Sequence, residues 1–110
     1  MSRFFDTLAR LTATIESRRG ADPQTSWSAK LLADRPLAAK KLAEEALEAA
    51  LAAVQDDKGA VIAESADLIY HWLIVLAATG VTLDDVAAKL DERDGVSGIA
   101  EKASRKISPS

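Results

Sequence analysis

Four residues, Asp56-Asp57-Lys58-Gly59, separate two long runs of helix formers, and this junction constrains the chain more than any other feature. The first run extends from about Pro36 to Gln55 and is filled with alanine at 43, 46, 49, 50, 52 and 53. The second extends from about Ala60 to Thr79 and stops at Gly80. A connection this short makes the two helices antiparallel neighbours. Each run carries an acidic pair with spacing i, i+3: Glu45 with Glu48, and Glu64 with Asp67. On a helix that spacing puts both carboxylates on one face, one turn apart. Glu48 lies eight residues before Asp56 and Glu64 five after Gly59. At about 1.5 Å per residue the nearer members are expected to be offset by roughly one turn, so the four carboxylates can converge with modest stagger.

Four convergent carboxylates repel and raise one another's pKa unless a positive charge sits among them. A divalent cation is the simplest filling, and an oxygen-only donor set favours Mg²⁺, with Mn²⁺ as the alternative. A solvated acidic face is the plain competing explanation. Against it, Leu47, Leu51 and Val54 form an apolar stripe and Glu48 lies about 60° from Leu51, on its border. The alanines covering the rest of that helix suit close packing on more than one side. Lys30, Lys40 and Lys41 lie nearby in sequence, and carboxylates with cations around them suit a polyphosphate. The chain has no cysteine, no Ser–His–Asp pattern and no glycine-rich phosphate loop, so the expected attacking group is water. A metal-bound water or a spare carboxylate would deprotonate it. His71 shares a face with Glu64 and Asp67 and reads as a packing or supporting residue rather than a ligand. Trp27 and Trp72 read as packing residues.

The remaining segments are expected to be helical too. Leu8, Leu11 and Ile15 recur at helical spacing between Ser2 and Arg19, with Ser2 or Asp6 as the cap. A loop through Gly20 and Pro23 leads to a short helix, roughly Trp27 to Ala33, capped by Thr25 or Ser26. Thr82, with Asp85 three residues on, opens a last helix to about Asp94. The tail from Gly95, with Lys102, Arg105 and Lys106, has the composition of a flexible terminus. Apolar residues make up 48% of the 110 but aromatics only 5%, which selects an all-α bundle of four to five helices in one domain. The segment LIYHWLIVLAA, from Leu68, is apolar nearly all round and needs cover on every side. A homodimer centred on that helix is therefore expected to complete the bundle. A net charge of −3 argues against a nucleic-acid partner. No signal peptide is visible, and the run from Trp72 to Ala78 is short of a membrane span, so a cytoplasmic location without membrane contact is expected.

The pattern ExxE, fifteen residues, ExxD resembles the motif of the MazG-type all-α nucleotide pyrophosphohydrolases. Within that superfamily, SWSAKLL (26–32), KKLAEEALE (40–48), ESADLIYHWLIVL (64–76) and SGIAEKASRK (97–106) are most similar to the phosphoribosyl-ATP pyrophosphohydrolase family. The resemblance covers residues 4 to 106. It departs mildly at Trp27, where the family usually has Tyr, and at Ala43, where it often has Gly. Having no cysteine and no room for a cyclohydrolase domain, the chain is similar to the free-standing form. The resemblance implies a MazG-like bundle and Mg²⁺-dependent hydrolysis of 1-(5-phosphoribosyl)-ATP to 1-(5-phosphoribosyl)-AMP and pyrophosphate, the second step of histidine biosynthesis. It implies Glu45, Glu48, Glu64 and Asp67 as metal ligands and Glu44 as a candidate base. Lys30, Lys41, Lys102 and Arg105 become candidates for phosphate contacts, with the tail folding over the triphosphate in cis or in trans. Two other functions stay open from the residues alone: a house-cleaning (d)NTP pyrophosphohydrolase, and a non-catalytic helical dimerisation module.

Overall fold

Local capping chemistry sets where each helix begins. The computed structural model describes residues 2–95, and among these it has five helices and no strand. Helix α1, Arg3–Ser17, starts at Ser2, whose hydroxyl accepts from the Phe5 N–H. Helix α2, Trp27–Leu32, starts at Ser26, which accepts from the Ala29 N–H. Helix α3, Arg35–Val54, is capped by Asp34 and has Pro36 in its first turn, where the missing N–H costs nothing. Helix α4, Lys58–Thr79, is capped by Asp57 and closed by Gly80 at φ 75°, a left-handed position that glycine occupies without strain. Helix α5, Leu83–Glu92, opens on the expected capping box between Thr82 and Asp85. The tail from residue 96, including Lys102 and Arg105, lies outside the described residues.

The described chain falls into two compact units, one ending at Gly80 and one beginning at Val81. In the first unit α4 is the centre, with α1, α2 and α3 all packed against it. Ile15, Ala29, Leu31, Ala38, Ala52, Leu73 and Ile74 form the buried core. Helix α4 is long and apolar enough to cross a membrane on length and composition alone. Helices α1, α2 and α3 all contact it, and within its apolar half His71, Leu73 and Ile74 are buried.

Two features differ from the sequence expectation, and both position the acids. The residues of α3 that are buried towards α4 are not the leucine stripe. They are Ala38 and Ala52, which share a face with Glu45 at seven-residue spacing. Alanine lets the two helices approach closely, whereas Leu47, Leu51 and Val54 lie roughly half a turn round α3 and are 60%, 50% and 85% exposed. The connection is also shorter than four residues. Asp56 takes a left-handed φ of 54°, and the Asp57 carboxylate accepts from the Ala60 N–H at 3.0 Å, so Lys58 and Gly59 already belong to α4.

Two arginines hold the other end of α4. Arg19, just past α1, donates to the Ala77 carbonyl at 2.9 Å, and Arg35, at the start of α3, donates to the Ala78 carbonyl at 2.8 Å. These carbonyls belong to the last turn, where backbone donors run out and the dipole is negative; the Ala77 carbonyl accepts only a long bond, 3.4 Å, from the Gly80 N–H. Two other segments of the chain thereby anchor the central helix. Ile74, fully buried at its C-terminal half, should be the most costly single truncation in this unit. Ile74→Ala is expected to cost about 3 kcal/mol in urea unfolding. A loss below about 1 kcal/mol would mean the core does not close around α4 as described.

Candidate active site

The cap at Asp57 brings the acids level. Glu48 lies six residues before the end of α3 and Glu64 six residues after the start of α4, so the expected one-turn offset disappears. Glu45, Glu48 and Glu64 each offer a carboxylate oxygen within 4.8 Å of the others. Glu45 and Glu64 are half-buried, and one oxygen of each, Oε2, is buried without a hydrogen-bond partner. Glu48 is exposed at the mouth of the cluster. Asp67 is one turn along α4 from Glu64 and exposed, and its carboxylate is not among the three that converge.

The electrostatics follow from that crowding. Glu64 is pushed up to about 7, first by the hydrogen bond it shares with the Glu48 carboxyl, then by burial and by Glu45. Such crowding favours the protonated carboxyl. The orphaned oxygens and the all-oxygen donor set fit a hard divalent cation, which would take the proton's place. Glu44 stands beside the cluster and not in it. Its carboxylate accepts from Lys41 Nζ at 3.0 Å, and that bond holds Glu44 below the usual carboxylate range. The same bond raises Lys41, which also feels the fields of Glu45 and Glu48. Lys41 is thus the cation at the edge of the acids.

The other expected residues are placed less directly. Lys30 lies with its Nζ 5.7 Å from the centroid of the Trp27 ring. Trp27 is 45% exposed and is therefore not the packing residue its type suggested. His71 is buried, and its Nδ1 lies 2.8 Å from the Asp67 carbonyl oxygen. Sequence reasoning missed the link from α2 to this helix, a hydrogen bond between the Ser28 and Tyr70 hydroxyls. No spacing rule marks a pair so far apart in the chain. A cavity of about 300 Å³ lined by Arg19, Pro23, Ala29 and Leu32 shares no residue with the acids.

An all-helical chain whose central antiparallel hairpin gathers carboxylates is a MazG-like bundle. Residues 8–94 match the family model described as phosphoribosyl-ATP pyrophosphohydrolase. A phosphoribosyl-ATP pyrophosphatase of Caulobacter vibrioides (strain NA1000 / CB15N) is 62% identical over 103 residues, covering 94% of this chain and 96% of that protein. Proteins of the same name from Paracoccus denitrificans (57% identical; 90% of this chain, 93% of that one) and Rhodobacter capsulatus (54%; 89% and 96%) are also similar. The chain belongs to the phosphoribosyl-ATP pyrophosphohydrolase family.

The raised Glu64 has a consequence for stability that can be signed. Its folded pKa, about 7, exceeds its ordinary value of 4.5, so the folded state binds the proton more tightly. The stability this contributes is fully present below pH 4.5, declines above it, and is gone once the pH has passed through about 7. Glu16, Glu44 and Asp85 are shifted the other way, and their contributions fade only as the pH falls into the acid range. Metal-free protein should therefore lose thermal stability between pH 5 and pH 8, and Glu48→Gln should flatten that loss. A melting temperature that is level or rising over this interval, in wild type and variant alike, would contradict the shared proton.

Proposed function

We propose that this chain hydrolyses 1-(5-phosphoribosyl)-ATP to 1-(5-phosphoribosyl)-AMP and pyrophosphate, the second step of histidine biosynthesis, with Mg²⁺ as cofactor and Mn²⁺ as a substitute. The observation that carries the mechanism is the convergence of Glu45, Glu48 and Glu64 within 4.8 Å, with two buried oxygens lacking partners. These three and Asp67, one turn on, would hold the cation. When bound, such a cation polarises a phosphoryl oxygen and lowers the pKa of water.

The chain's own residues supply the rest. Lys41, paired with Glu44 beside the acids, is the first candidate for phosphate contacts, and Lys30, Lys102 and Arg105 are the further ones; the last two lie outside the described residues. As the Lys41 ammonium turns from Glu44 to a phosphate oxygen, Glu44 loses the bond that depresses its pKa. It becomes a stronger base and takes a proton from the attacking water. The water oxygen bonds to a phosphorus of the α,β-anhydride, the bridging P–O bond breaks, and pyrophosphate departs with the electron pair. We place this activity in the cytoplasm, in a single functional domain, without nucleic acid or membrane as partner.

The exposed apolar surface of the hairpin is a second candidate surface, beside α4, for the expected homodimer. Leu47, Leu51 and Val54 of α3 are exposed, and so is Ile62 of α4, at 72%. An exposed stripe of this kind is expected to be covered by a second copy.

Pyrophosphate release from phosphoribosyl-ATP, measured beside a panel of dNTPs, tests the assignment. Phosphoribosyl-ATP should be the preferred substrate, and Glu48→Gln should lower its kcat/KM about a hundredfold or more. A chain ending at Gly95 should show a raised KM. Preference for a dNTP would make this a house-cleaning enzyme, and no turnover of any nucleotide would leave a dimerisation module. For the dimer, Leu51→Glu should yield a monomer in sedimentation at a concentration where the wild type has twice the chain mass. An unchanged sedimentation coefficient would move the interface elsewhere.

A further inference from the structure

Three buried side-chain polar atoms without partners are found among the described residues: Glu45 Oε2, Glu64 Oε2 and His71 Nε2. The first two belong to the acid cluster. The third is not explained by it, because the converging oxygens are those of Glu45, Glu48 and Glu64 alone. His71 is only 7% exposed. Its Nδ1 faces the Asp67 carbonyl, which can only accept, so Nδ1 carries the hydrogen. In the neutral ring Nε2 is then a bare lone pair. The ring's direction is fixed a second time from α2. Tyr70 meets the imidazole edge to face, centroids 4.9 Å apart, and the Tyr70 hydroxyl is hydrogen-bonded to Ser28.

A histidine that only filled space would have no need of such fixing, and its lone pair would be buried at a cost with no return. His71 lies seven residues along α4 from Glu64, on the same face, and one turn from Asp67, whose carbonyl oxygen its Nδ1 meets, so the ring borders the face that carries the acids. We propose that His71 is a positioning residue of the site. Its Nε2 accepts a hydrogen bond from an O–H or N–H group that arrives with the ligand. Two sources share this chemistry: a hydration water of the divalent cation, or a hydroxyl or amino group of the nucleotide. The proposal rests on the carboxylate site described above.

Two substitutions separate the ring's two nitrogens. His71→Asn keeps an amide N–H near the Nδ1 position and has nothing at Nε2. His71→Gln places an amide oxygen near Nε2 and gives up the Nδ1 donor. Each full-length variant, freed of metal, is melted across a MgCl₂ titration without nucleotide, and kcat and KM are measured separately. If the donor is a cation's water, the Mg²⁺ midpoint should rise about tenfold in His71→Asn and less in His71→Gln. If the donor belongs to the nucleotide, the midpoint should hold, and KM should rise about tenfold in His71→Asn and less in His71→Gln, with kcat changed less than KM. Equal losses in the two variants, a greater loss in His71→Gln, or wild-type midpoint and KM in both would overturn the assignment. If His71→Asn does not fold, His71→Gln decides: a midpoint and KM within about threefold of wild type support it, and larger losses in either overturn it. A wild-type chain whose melting ignores Mg²⁺ would remove the carboxylate reading itself, and this proposal with it.

Discussion

Carboxylates held within 4.8 Å of one another repel, and every strong feature of the first unit acts to keep them there. Two helices cannot be pushed apart easily when both ends of the hairpin are fixed. At one end Asp56 and Asp57 turn the chain and cap α4. At the other, Arg19 and Arg35 bind carbonyls in the last turn of α4, and these residues lie at the end of α1 and the start of α3. Between those ends, Ala38 and Ala52 draw α3 against α4, with Glu45 between them in the same seam. An acid at the middle of a small-residue seam has little freedom to swing out to water. Glu48 at the mouth is exposed, so the repulsion falls hardest on the half-buried Glu45 and Glu64. It is relieved by a proton on Glu64 or by a cation in its place.

Crowding acids at the centre of a hairpin sets the needs of a carboxylate site against those of a stable helix pair. A helix pair built for stability alone would put alanine or leucine where Glu45 and Glu64 stand. Two buried oxygens without partners cost stability, and a ligand that bound only the folded state would offset that cost. His71, with its lone pair buried and unmet, repeats the pattern one turn from Asp67. Lys41 and Glu44 vary it. They satisfy each other in the empty protein, so the cation beside the acids and the candidate base are each held ready by the other.

Much of this was legible in the sequence, and the reason is locality. Ser2, Ser26 and Thr82 cap helices through bonds three residues long, so residue type narrows each start to one or two positions, and at Thr82 to one. The acid pairs were legible because i, i+3 spacing on two neighbouring helices leaves few arrangements. What misled was the assumption that the most apolar stripe of α3 faces the core. Leucine outweighs alanine in any count of hydrophobicity, but close helix approach is decided by size, and Ala38, Glu45 and Ala52 at seven-residue spacing were visible all along. The level pairing of Glu48 with Glu64 required knowing that Asp57, not Gly59, marks the helix start. Asp67 shares the right face, yet spacing does not dictate where its side chain points. The arginine clasps and the Ser28–Tyr70 bond join residues more than forty positions apart, and no local pattern announces them.

The seam and the exposed stripe are two results of one choice. If α3 packed on α4 through Leu47, Leu51 and Val54, the unit would hide its apolar surface, but Glu45 would turn outward and the cluster would dissolve. Packing through Ala38 and Ala52 turns Glu45 inward and leaves the leucines outside. Building the site thus creates the apolar face that the proposed second copy would cover. Glu48 lies between the two surfaces, next to Leu47 in the chain and about 60° from Leu51 around the helix. On this geometry a partner seated on the stripe would also border the mouth of the acid cluster, so assembly and the carboxylate site would be linked through the two faces of α3.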